Sequence, residues 1–231
     1  MTVCDQAVFA VLRQNGFACA FGHYATPWDG NSIPYREDVL LSRDNISDYL
    51  VQKWLGNDWV HVSDVLRNVI VGNVWEVYEN AFEHGSTGHD AIVSCGQHFP
   101  QNNKLVLSVV DMGDGIVNKV RGFFQRGNLH GVEQIRSDSC MRWAFDEGNS
   151  TRGKISSGLG LFILKEFIRL NNGKLEIYSN DGYASVDLTG EHFKATPFYI
   201  NGTIVNIVLC CDEKSYCMSH ELTNSSQGNG Q

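Results

Sequence analysis

The chain has 231 residues, 42% of them hydrophobic and 19% charged, enough apolar material for a substantial core in one large domain or a domain with an elaboration. A formal net charge of -8 argues against a nonspecific polyanion binder, because phosphate backbones require a basic face, and no nucleic-acid partner is expected. No segment reaches the ~18 consecutive apolar residues of a membrane span, and the first residues lack the basic-then-apolar order of a secretion signal, so the expected compartment is the cytoplasm, with no membrane partner.

Residues 1–62 are the least readable stretch. A short apolar helix is expected over Val8 to Leu12, and turn signals stand at Thr26-Pro-Trp-Asp-Gly30. Trp28, Trp54 and Trp59 argue for packing. Asp44 or Ser47 could cap a helix that runs to Leu55 and stops at Gly56. This region is expected to be a packed lead-in to a principal domain over 63–209, followed by a polar tail over 210–231 whose last residues, from Thr223, cannot sustain packing.

Ser63 is a plausible N-cap for a long helix that ends at Gly85. At about 100° per residue, Ile70, Val74, Val77, Tyr78, Ala81 and Phe82 share an apolar arc, while Asn73, Glu76, Asn80 and Glu83 gather opposite. An ordinary amphipathic helix would show a solvated face of this kind. Two strand-like runs follow, 91–99 and 104–110, joined by Pro100-Gln-Asn-Asn103 as a hairpin; the second is almost wholly apolar, which suits a central strand, and delivers Asp111 to a sheet end.

From 117 to 157 short helical pieces near 117–124 and 140–146 alternate with polar, glycine-bearing loops, an excursion expected to serve a ligand site as a lid. Gly158-Leu-Gly160 starts a helix with Leu161, Leu164, Phe167 and Ile168 as its apolar stripe, ending at Asn171-Asn-Gly173. A hairpin turning at Asn180-Asp-Gly182 and a last strand from Gly202 to Leu209 are expected to complete the sheet.

Seven cysteines, at 4, 19, 95, 140, 210, 211 and 217, show no C-x-x-C spacing and read as reduced thiols. His84 and His89 are separated by the helix-breaking Gly85, so no zinc site is expected. The phosphate-loop signature G-x-x-x-x-G-K-[ST] is missing, since Ile155 follows Gly153-Lys154. Gly158-x-Gly160 lacks the third glycine and preceding strand of a dinucleotide fingerprint, although glycine backbone at a helix start still suits phosphate.

Four motifs together resemble the boxes of the gyrase, Hsp90, histidine kinase and MutL ATPase superfamily: Glu76-x-x-x-Asn80-Ala, Asp111-x-Gly113-x-Gly115-Ile116, Gly158-x-Gly160-Leu161 and Gly202-Thr203. Their order and spacing match over 63–209, and among branches Glu-Asn-Ala-x-x-His-Gly is most similar to the anti-sigma-factor serine kinases and their stand-alone bacterial relatives. The resemblance implies a two-layer α/β sandwich (the Bergerat fold), a mixed sheet with helices on one face, and ATP held with Mg²⁺ between the layers. It implies that Asn80 coordinates Mg²⁺ through its side-chain oxygen, that Glu76 activates the nucleophile attacking the γ-phosphate, and that Asp111 accepts a hydrogen bond from the adenine amino group.

On the same resemblance Gly113, Gly115 and Ile116 line the base, and Thr203 supports it. Ser157, Gly158, Leu159, Gly160 and Leu161 hold the phosphates at a helix N-terminus. Arg152 and Lys154 are either phosphate ligands or members of a solvated loop, and Glu83 with His84 reads as a helix end near the site. No His-Glu-x-x-x-Pro phosphoacceptor segment and no downstream transducer domain are found, so neither an autophosphorylating sensor kinase nor a gyrase-like catalytic lysine is expected from this chain alone. The expected function is ATP-dependent protein Ser/Thr phosphorylation, or slow ATP hydrolysis, that switches a regulatory protein partner encoded nearby. Alternatives are a noncatalytic nucleotide-sensing module and a small-molecule enzyme; a homodimer remains open.

Overall fold

A computed structural model describes residues 5–23, 30–85, 91–127, 135–146, 149 and 159–225, with the backbone alone at 84–85, 159–162 and 223–225. Five strands form one sheet in the order β1-β3-β4-β6-β5: β1 (Ser32–Asp38), β3 (Ile92–Phe99), β4 (Lys104–Asp111), β6 (Gly190–Cys210) and β5 (Lys174–Asp187). Every pairing in it is antiparallel; the parallel pairing is a separate two-stranded ladder of β2 (His61–Val62) with β7 (Ser215–Tyr216). The apolar run over 105–110 does form the middle strand, and its alternation buries Leu105, Leu107 and Val109 on one face while Val106, Ser108 and Val110 stay half-exposed on the other.

The buried face is covered by α4 (Asp64–Gly85), α5 (Ile116–Arg126), α6 (Ser137–Phe145) and α7 (Leu159–Leu170), giving a two-layer α/β sandwich. Ser63 caps α4 as its residue type suggests: its Oγ accepts from Leu66 N at 3.1 Å and donates to Glu221 Oε2 at 2.7 Å on α8 (Ser219–Ser225). Ile70, Val74, Val77, Tyr78 and Ala81 are buried as the periodicity requires. Asn73 departs from it. Expected on the polar side, it is buried between α4 and α7, where its Oδ1 accepts from Leu164 N at 3.0 Å and its Nδ2 donates to Val69 O at 2.8 Å.

Ahead of α4 the chain forms α1 (Gln6–Gln14), which spans the expected 8–12 helix, then α2 (Phe17–Ala20), β1 and α3 (Arg43–Tyr49). Ser42, not Asp44 or Ser47, occupies the N-cap of α3, and the helix continues as a π-helical turn over Leu50–Trp54 that buries Trp54 completely. β1 pairs with β3 as an edge strand, and its Ile33 is fully buried.

The expected turn at Asn180-Asp-Gly182 is absent. β5 runs straight through these residues with register shifts around Asn180 and turns only after Asp187. The preference of Asn and Gly for positive φ, read as a turn, is used inside the strand as a bulge, with Asn180 at φ +56. β5 and β6 therefore extend past the paired part of the sheet as a long hairpin that packs on α6 and α5, and β6 lies inside the sheet with β5 as the edge.

Candidate functional site

Strand register brings several of the residues singled out by the sequence motifs to one end of the sandwich. Asp111, the last residue of β4, lies opposite Thr203 on β6, and Thr203 lies opposite Ser179 on β5. α4 begins at the far end, where Ser63 N donates to Tyr216 O at 2.9 Å, and ends shortly before β3 starts beside Val110, so Glu76 and Asn80 sit on the half of α4 nearer Asp111. α7 runs the other way, because it leads into β5 at Lys174, opposite Val208; its N-terminus with Leu159, Gly160 and Leu161 therefore points to the Asp111 end. Ser157 and Gly158, together with Arg152, Lys154 and His89, lie outside the described residues, as do the side chains of His84, Leu159 and Leu161.

Asp111 is a buried carboxyl group, 7% exposed. Its Oδ1 accepts from Gly113 N at 3.0 Å. Burial pushes its pKa above the ordinary carboxylate value, against the opposing pull of the Gly113 amide, the Thr203 hydroxyl and amide, and the Lys119 ammonium. Thr203 Oγ1 lies 3.0 Å from Ser179 Oγ, which ties β6 to β5 side chain to side chain beside Asp111. Gly202 is a stereochemical necessity at φ +106: a Cβ there would stand 2.0 Å from the Asp111 carbonyl oxygen.

Between Asp111 and α5 the chain turns through Gly113 and Gly115. Gly115 takes φ +77 as the N-cap residue of α5, and Ile116 N donates to Ser179 Oγ at 2.7 Å, while the Ile116 side chain packs on the core. The helix thus obtains acceptors for its first amides from a strand and not from its own preceding residue. Lys119 stands one turn into α5; burial lowers its pKa, while Asp114 and then Asp111 raise it, which puts a cation near the Asp111 carboxyl group.

On α4, Glu76 and Asn80 are both half-buried and one helical turn apart. Burial, and then the neighbouring Glu79, lift the Glu76 carboxyl above its ordinary pKa, the direction expected of a group suited to take up a proton. Among the described residues no group of three or more His, Cys, Asp or Glu side chains stands together as a metal site; the side-chain oxygen of Asn80 is a hard, neutral donor of the type Mg²⁺ accepts. No described helix is long and apolar enough to cross a membrane.

A buried acceptor at a strand end, a carboxylate and an amide on one helix, and a second helix presenting its N-terminus define a nucleotide-binding α/β sandwich of the ATPase type. Comparison with protein families matches residues 69–203, more than half of the chain, to the histidine kinase-, DNA gyrase B-, and HSP90-like ATPases, and the chain belongs to that family. Membership brings with it ATP binding and phosphoryl chemistry of the ATPase or kinase type. A search of curated proteins finds no match.

Proposed function

We propose that the protein is a Mg-ATP-dependent regulator that transfers the γ-phosphate to a Ser or Thr of a partner protein, or hydrolyses ATP slowly to switch that partner. The observation that carries this reading is the convergence of the buried Asp111 acceptor, the Glu76–Asn80 half of α4 and the α7 N-terminus at one end of the sandwich. In this reading Asp111 receives the adenine amino group, with Thr203 beside it, Gly113 leaves room for the base, and Gly115 keeps the turn open against Asn180.

Glu76 takes the proton of the attacking hydroxyl or water, a role helped by its raised pKa. Asn80 supplies a neutral hard oxygen to Mg²⁺, whose chemistry is to offset the charge of the β- and γ-phosphates. The amides at the start of α7, with Ser157 and Gly158, hold the phosphates.

Purified protein incubated with γ-labelled ATP, with and without the product of a neighbouring gene, tests this. Label on the partner supports the kinase, and free phosphate alone supports the ATPase. Bound ATP with neither outcome would replace the reading by a noncatalytic sensor.

A further inference from the structure

We propose that Asn180 is a positioning residue for nucleotide selection, holding the Asp111–Gly115 loop and the start of α5 in the shape that presents Asp111 to the base. The inference rests on the reading that Asp111 receives adenine, and deepens it. Asn180 lies on β5, is 1% exposed, and takes φ +56 between two shifts of strand register. A non-glycine residue in that conformation is uncommon, and asparagine is among those that tolerate it.

Its side chain joins segments that are distant in the chain. Nδ2 donates to Asp114 O at 2.9 Å, with Tyr199 Oη at 3.2 Å and Ile200 O at 3.4 Å also in reach. Oδ1 accepts from Asn118 N at 3.2 Å, one of the amides that the start of α5 leaves without a helical partner. The adjacent Ser179 Oγ takes Ile116 N at 2.7 Å. The approach is close enough that a Cβ on Gly115 would stand 2.4 Å from Asn180 Oδ1. The loop is thus held at one end by Gly113 N on Asp111 Oδ1 and at the other by Asn180. The partners of Asn180 among the described residues lie on that loop, at the start of α5 and on β6, so its loss acts on how the loop aims Asp111.

Asn180→Gly deletes the side chain and keeps a residue that accepts φ +56. By calorimetric titration with Mg-ATP and Mg-GTP, the variant is expected to bind ATP about ten-fold more weakly and GTP as the native protein does, so that the preference for adenine shrinks, the size of one hydrogen bond lost. A purely structural role would lower both affinities together; an ATP-to-GTP ratio equal to the native one overturns the proposal. Native protein with no preference for ATP defeats the Asp111 reading and this inference with it, whereas a native preference that survives in Asn180→Gly defeats the inference alone. Should the variant not fold, hydrogen exchange on the native, nucleotide-free protein decides: slow exchange of the Asn118 amide, which Asn180 Oδ1 accepts, is expected, and exchange at the rate of open peptide refutes it.

Discussion

Asp111→Asn separates base reading from loop structure. The asparagine Oδ1 can keep the 3.0 Å bond from Gly113 N, so the loop is retained, while the second oxygen becomes an NH₂ that opposes the adenine amino group donor to donor. A hydrogen bond to a charged group is worth roughly 1.5–3 kcal/mol, which corresponds to about 10- to 150-fold in affinity. Because Asp111 already spends part of its acceptor capacity on Gly113 N, the lower end, about 10- to 30-fold, is expected. GTP should lose nothing, since guanine presents a carbonyl where adenine presents its amino group and the new NH₂ can donate to it. Calorimetric titration of native and variant protein with Mg-ATP and Mg-GTP measures both, with thermal melting to confirm the fold. Equal affinities of the native protein for the two nucleotides, or native ATP affinity in the variant, would remove Asp111 from this role.

Other outcomes follow from the same geometry. Glu76→Gln should leave ATP affinity nearly unchanged and reduce phosphate release or partner phosphorylation by about 10²- to 10⁴-fold, whereas Asn80→Ala should also lose the Mg²⁺-dependent part of binding; full activity in Glu76→Gln would move the base to Glu79 or Glu83. Gly202→Ala forces a Cβ against the Asp111 carbonyl at φ +106, a strain and overpacking cost of about 2–5 kcal/mol, and its melting temperature should fall by roughly 5–20 °C; an unchanged melt would show that the backbone there yields. The pKa of Asp111 is raised on folding, so between its ordinary and raised values the native state binds more protons than the unfolded one, and its contribution to stability rises as pH falls through that window. The melting temperature of the native protein relative to that of Asp111→Asn should therefore rise on acidification from pH 7, while the ATP affinity of the native protein falls over the same window; a relative fall in the native melting temperature would contradict the assignment.

Several features were legible because their cause is local. The period of 70–82 predicts the buried arc of α4, since each residue's position on a helix depends only on its number, and Ser63 caps that helix with an oxygen that reaches an amide three residues on. The almost wholly apolar run over 105–110 suits a central strand, and Gly202-Thr203 reads as a motif in the sequence although the reason for its glycine lies in the Asp111 carbonyl beside it. Tertiary structure decided the rest. Asn73 is buried because its partner, Leu164 N, lies 91 residues away, and nothing in the local pattern of α4 distinguishes it from a solvated asparagine. Lys165 is buried on the apolar side of α7 only because Glu191 Oε1, at 3.0 Å, and Phe145 O, at 3.3 Å, receive its ammonium group there. Asn180-Asp-Gly182 reads as a turn because a turn and a bulge ask the same φ of the chain, and only pairing with β6 selects the bulge. Residue type and spacing set exposure and conformation along one element; which polar group meets which is set by strand register and helix packing, and that decided how the Asp111 loop is held.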